Sequence, residues 1–101
     1  MHQNLARIIE RAHEQHIAVL LLGMEAPPNY GLEYARSFRQ VYRDLASRYD
    51  VTLVPFMLDG VAGSADLNQA DGIHPNTAGT QIVARTIWQR LKPLVDAADA
   101  S

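Results

Sequence analysis

A chain of 101 residues, 48% hydrophobic and 20% charged, has the make-up of one globular domain at most rather than of a disordered segment. Its formal net charge is -2, and its one lysine, Lys92, and dispersed arginines form no cluster of positive charge, so nucleic acid is set aside as a partner. It has no cysteine, which excludes disulfide and thiolate chemistry without choosing a compartment.

The first residues, Met1-His2-Gln3-Asn4, are polar and lack the charged start and apolar core of a signal peptide. No apolar run approaches the ~18–20 residues needed to span a bilayer. Residues 3–16 repeat at helical spacing. Leu5, Ile8, Ile9 and Ala12 share one face, with Arg7, Glu10, Arg11 and Glu14 opposite. The run Ile17-Ala18-Val19-Leu20-Leu21-Leu22, ending at Gly23, reads as a short strand buried on both faces. Residues 24–33 form a loop, stiffened by Pro27-Pro28 and turned at Asn29 and Gly31.

A second helix is expected from about Tyr34 to Tyr49, with Phe38, Val41, Tyr42 and Leu45 as its apolar stripe and Arg36, Arg39, Arg43 and Asp44 facing water. After Asp50 comes a second strand, Val51–Val54, closed by Pro55. Residues 56–75 form a long loop rich in glycine, serine, asparagine and aspartate, and loops of that length in a compact domain usually carry function. The last helix is expected to begin near Asn76, a good N-cap, to bury Ile82, Val83, Thr86, Ile87 and Leu91, and to end at Pro93, leaving 96–101 as a frayed tail. Two parallel strands and three helices fit part of a doubly wound α/β sandwich. Ligands in such folds bind beyond the carboxyl ends of the strands, here the loops at 24–33 and 56–75.

In the second of these loops Asp71-Gly72-Ile73-His74-Pro75-Asn76 pairs a carboxylate with a histidine. Histidine serves as a general base near neutral pH, and a carboxylate can fix its tautomer and stabilise the imidazolium. Gly72 gives the backbone freedom to fold the one back on the other. On spacing alone the signal is weak, because Asp-x-x-His occurs by chance, and a loop histidine without a catalytic role is the favoured alternative. The other histidines, His2, His13 and His16, read as surface residues in or beside the first helix, and nothing has the convergent spacing of a metal site.

The Asp71–Asn76 block resembles the last block of the SGNH (GDSL-like) hydrolases. Leu22-Gly23-Met24-Glu25-Ala26-Pro27-Pro28-Asn29-Tyr30-Gly31 resembles the loop after the fourth strand in the thioesterase I / lysophospholipase L1 / arylesterase-like branch. Val54-Pro55-Phe56-Met57-Leu58, Gly60-Val61-Ala62-Gly63 and Leu67-Asn68-Gln69-Ala70 are similar to the same branch, so the likeness runs from about residue 3 to 95. The resemblance implies the C-terminal portion of a serine esterase domain acting on small acyl esters, thioesters or lysophospholipids, without a cofactor or metal.

By that resemblance His74 is the general base and acid, and Asp71 its orienting partner. Ile73 and the loop residues Met24, Pro27, Asn29 and Tyr30 line the acyl-binding groove, although Met24 and Ile73 equally suit simple packing and Pro27 loop stiffening. The family's nucleophile comes from a Gly-Asp-Ser block near its first strand, and its oxyanion donors from that block and two more. None of these occurs here, and Ser37, Ser47, Ser64 and Ser101 stand in no such pattern. The chain alone is therefore expected to be inactive. A non-catalytic module that pairs with an N-terminal hydrolase half is the alternative. The strand at 17–22 would lack its family neighbours, which predicts a marginal monomer open to self-association through that edge. Compartment stays open, relatives in this branch being often periplasmic or secreted.

Overall fold

A computed structural model describes residues 1–100. The chain forms two compact units, Met1–Pro55 and Phe56–Ser101. The first contains helix α1 (His2–Glu14), strand β1 (Leu20–Leu22), helix α2 (Leu32–Tyr49) and strand β2 (Thr52–Val54), and the second ends in helix α3 (Thr77–Ala100). β1 and β2 pair in parallel, Leu20 with Thr52, Leu21 with Leu53 and Leu22 with Val54, so the architecture is α/β as expected.

Side chains alternate across a strand, and the odd-numbered residues Val19, Leu21, Val51 and Leu53 all join one apolar cluster. α1 adds Leu5, Ala6 and Ile9 to it, and α2 adds Phe38, Val41, Tyr42, Leu45 and Tyr49. Ile9 and Leu45 are completely enclosed. The stripe expected on α2 is therefore the stripe that packs. The two helices are also joined by a hydrogen bond from the Tyr49 hydroxyl to Glu10 Oε2, at 2.7 Å.

Several expectations need correcting. On α1 Ile8 is exposed, and Ala6 is buried in its place. At 3.6 residues per turn Ile8 sits roughly 100° round the axis from Ile9, which centres the buried face. The first strand is shorter than 17–22, because the chain needs residues 15–19 to turn out of α1. The Ile17 amide donates to the Ala12 carbonyl (2.9 Å) and that of His16 to the His13 carbonyl (3.0 Å), while His16 takes the left-handed conformation at φ 58°. That is a Schellman termination, with Ile17 as its outer residue, exposed and outside the strand. Nor is β1 buried on both faces: Leu21 is buried, and Leu20 and Leu22 are only half-buried. α2 ends in the same way through Asp50 at φ 53°, with the Val51 amide on the Ala46 carbonyl (3.0 Å), so β2 begins at Thr52.

A further correction concerns α3, which runs through Pro93 to Ala100 and so covers residues 96–100 of the segment expected as a tail. Proline removes one amide from the ladder. The helix continues past it with Lys92 Nζ on Asp96 Oδ2 at 2.7 Å, one turn apart. Ile82, Val83, Thr86, Ile87 and Leu91 lie on α3 half-buried rather than buried. Among the described residues no helix is long and apolar enough to cross a membrane.

Candidate active site

The segment expected as one long loop is more ordered than its composition suggests. It passes through turns at 57–63 and a 3-10 turn at Ala65–Leu67, then closes into a narrow loop whose neck is an antiparallel bridge between Asn68 and Pro75. Two backbone bonds hold the neck, Gln69 amide to His74 carbonyl (2.8 Å) and Asn76 amide to Leu67 carbonyl (2.9 Å). Inside the loop the Gly72 amide donates to the Gln69 carbonyl at 2.9 Å, and Gly72 itself lies at φ 70°, a region that costs a side-chain-bearing residue about 1–2 kcal/mol.

The tip of this loop brings Asp71 and His74 together. Asp71 Oδ1 accepts the backbone amides of Ile73 (2.9 Å) and His74 (3.1 Å), which fixes the carboxylate against its own turn. Its other oxygen, Oδ2, lies 2.6 Å from His74 Nδ1. The carboxylate thus holds the imidazole by one nitrogen and leaves Nε2 without a hydrogen bond among the described residues. The His74 side chain is 71% exposed, so the free nitrogen is accessible. A cleft of about 550 Å³ lies where the loop meets α3, lined by Gln69, Pro75, Asn76, Thr77, Thr80 and Gln81 and not by Asp71 or His74.

The His74 hydrogen bond, then the Ile73 and His74 amides, pull the Asp71 carboxyl from its ordinary 3.8 down to about 2. A folded-state value below the unfolded one means that the group favours the folded loop above pH 3.8 and loses that contribution as pH falls through about 2. Carbon NMR of the Asp71 carboxyl is therefore expected to show a midpoint near 2, and a midpoint of 3.8 would mean that the three hydrogen bonds do not persist in solution.

The loop is anchored to α3 and to the turn before it. The buried Asn68 donates from Nδ2 to the carbonyls of Val61 (2.8 Å) and Ser64 (2.7 Å). Asn76 caps α3, its Oδ1 accepting the Gly79 amide at 2.9 Å. Gly79 lies so close to the loop that a Cβ there would run into the Leu67 carbonyl oxygen and lie 3.1 Å from Pro75 Cβ. Glycine to alanine inside a helix normally stabilises it by up to ~1 kcal/mol. At Gly79 the sign is expected to reverse, with a loss of ~1–3 kcal/mol from overpacking against backbone that cannot yield. Urea unfolding of Gly79→Ala measures it, and a gain in stability would show that Leu67 does not lie against the helix.

Of the other expected site residues, Ile73 shares the loop tip and is exposed. Met24, Pro27, Asn29 and Tyr30 belong to the first unit. There Met24 packs against the apolar cluster, Pro27 and Asn29 are exposed, and Tyr30 stacks on Tyr34 with ring centroids 5.0 Å apart. The Arg39 Nε–Glu25 Oε2 ion pair (2.6 Å) ties the same loop to α2. Composition and spacing did not reveal Asn68 or Gly79. Asn76 was legible only as a helix cap.

The chain is similar to known proteins along most of its length. A model of the GDSL-like lipase/acylhydrolase family matches residues 1–82. The chain is 43% identical over 95 residues to Esterase TesA of Pseudomonas aeruginosa, covering 94% of this chain and 47% of that protein. To the thioesterase 1/protease 1/lysophospholipase L1 of Escherichia coli K12 it is 34% identical over 94 residues, 93% of this chain and 45% of the relative. The crystal structure of TesA superposes with a TM-score of 0.86 at 44% identity, over 92% of this chain and 52% of that one. The chain thus spans about half the length of the curated relatives it matches. With the family model matching residues 1–82 and a relative 43% identical over 95 residues, the chain belongs to the GDSL-like lipase/acylhydrolase family.

Proposed function

We propose that this chain supplies the acid–base pair of a serine esterase that cleaves carboxylic esters, thioesters or lysophospholipids. The observation that carries the reading is the 2.6 Å contact of Asp71 Oδ2 with His74 Nδ1, which leaves Nε2 open at the loop tip. With the proton on Nδ1 held by the carboxylate, Nε2 is the basic nitrogen. It would take the proton of a serine hydroxyl as that oxygen attacks the acyl carbon. It would then give the proton to the departing alkoxide or thiolate, and a water would repeat the sequence to free the acid.

The serine belongs to a Gly-Asp-Ser block, which residues 1–101 do not contain. The names of the relatives, an esterase and a thioesterase/lysophospholipase, support the ester and thioester classes. Ile73 and the loop residues Met24, Pro27, Asn29 and Tyr30 are proposed to line the acyl groove of the whole fold; Ile73 and Tyr30 are exposed. The outer edge of β1, which has no strand beside it among the described residues, is the proposed pairing edge for the N-terminal part of such a fold, in competition with a second copy.

Residues 1–101 alone are expected to show no turnover of p-nitrophenyl acetate or butyrate above buffer. Hydrolysis that disappeared in His74→Ala would place a nucleophile within this chain and contradict the reading.

A further inference from the structure

Asn76 stands two residues beyond His74, where the loop enters α3, and its side chain is used at both ends. Oδ1 caps the helix through the Gly79 amide at 2.9 Å. Nδ2 points the other way, donating to the Asp66 carbonyl at 2.8 Å, with the Asn68 carbonyl at 3.4 Å. Asp66, in the 3-10 turn, and Asn68 lie on the segment that enters the loop, so one amide group joins its entry to its exit. The entry segment is in turn pinned by the buried Asn68 amide to the Val61 and Ser64 carbonyls. Helix capping needs only an acceptor, and serine or aspartate serves equally well. The donors on Nδ2 are surplus to that task, and they act on the neck of the loop that carries Asp71 and His74.

Resting on the functional reading above, we propose that Asn76 is a positioning residue for the acid–base pair, its Nδ2 clamping the neck of the 68–75 loop so that the Asp71 carboxylate meets His74 Nδ1. Remove the donor and the entry segment keeps its backbone bonds but loses the side-chain tie from Asn76 to the Asp66 carbonyl. The Asp71–His74 contact then loosens while the helix stays capped.

Asn76→Ser and Asn76→Asp in the full chain separate the two roles, since both keep an N-cap acceptor and neither keeps the Nδ2 amide that reaches the Asp66 carbonyl. Asn76→Ser adds no charge, so agreement between the two excludes a charge effect. Three readouts apply: helicity by circular dichroism, the Asp71 carboxyl midpoint by carbon NMR, and the His74 Nδ1 proton resonance at low temperature. The expected result is unchanged helicity, a midpoint moved from about 2 toward 3.8, and loss or broadening of the Nδ1 resonance. A folded variant of either kind that keeps the midpoint near 2 and the resonance sharp would overturn the proposal. Loss of helicity in both would reduce Asn76 to a cap and also overturn it. A midpoint of 3.8 in the unsubstituted chain would overturn the functional reading itself, and this inference with it.

Discussion

His74→Ala is expected to lower ester hydrolysis by the complete fold, this chain joined to a segment carrying the Gly-Asp-Ser block, on the order of 10⁶-fold in kcat. Asp71→Asn is the more informative variant. Asparagine keeps an oxygen where Oδ1 accepts the Ile73 and His74 amides, so the loop should hold its shape. At the Oδ2 position it presents an amide donor, 2.6 Å from Nδ1 in the present geometry. Nδ1 must then become the acceptor, the ring proton moves to Nε2, and the nitrogen that should receive the serine proton is already protonated. A wrong tautomer in a correct geometry costs on the order of 10⁴ in kcat. KM should change little, because neither group is asked to bind the acyl chain. Steady-state kinetics on the two variants check both statements. An Asp71→Asn enzyme within a few-fold of the parent would show that Asp71 shapes the loop and does nothing for the imidazole.

Leu45→Ala is expected to cost about 2–5 kcal/mol, the range for emptying a fully enclosed leucine site. Leu45 is 0% exposed and sits in the cluster where α1, α2 and the odd-numbered strand residues meet. A two-stranded sheet is marginal by itself, so the first unit depends on this cluster. Ile8→Ala is the matched control. With 62% of Ile8 exposed, the change should stay within ±0.5 kcal/mol. Denaturant unfolding of the pair measures the contrast, and equal losses would mean that Ile8 rather than Ala6 faces the core.

The contrast between Leu45 and Ile8 also marks where residue pattern stops being sufficient. The α2 stripe was legible because Phe38, Val41, Tyr42 and Leu45 are all large and apolar and no competing face exists. On α1 the buried centre includes Ala6, whose small side chain adds little to a pattern, and Ile8 drew the expected face toward itself. The strand ends were obscured for a different reason. Both helices terminate through left-handed residues that are not glycine, His16 and Asp50, so the usual stop signal is missing and residues 17–19 looked like strand. Pro93 offered a stop that α3 ignores, since a single missing amide is tolerated on an exposed helix face.

At the candidate site Asp71 and His74 stood out through the family resemblance of the segments around them, the Asp-x-x-His spacing alone being a weak signal. The groups that hold them were not legible, because Asn68 and Asn76 bond to the backbone carbonyls of Val61, Ser64 and Asp66. Any residue type can offer a carbonyl, so such partners leave no trace in side-chain pattern. Gly79 is the same case, a glycine dictated by the approach of the Leu67 carbonyl.

Reconstitution tests the central claim most directly. Residues 1–101 are mixed, or fused, with an N-terminal segment bearing the Gly-Asp-Ser block of a family member, and p-nitrophenyl butyrate hydrolysis is followed. The account predicts no turnover from either part alone and serine-dependent turnover from the complex, abolished by His74→Ala. A folded complex with no activity, or one whose activity survives that substitution, would contradict it.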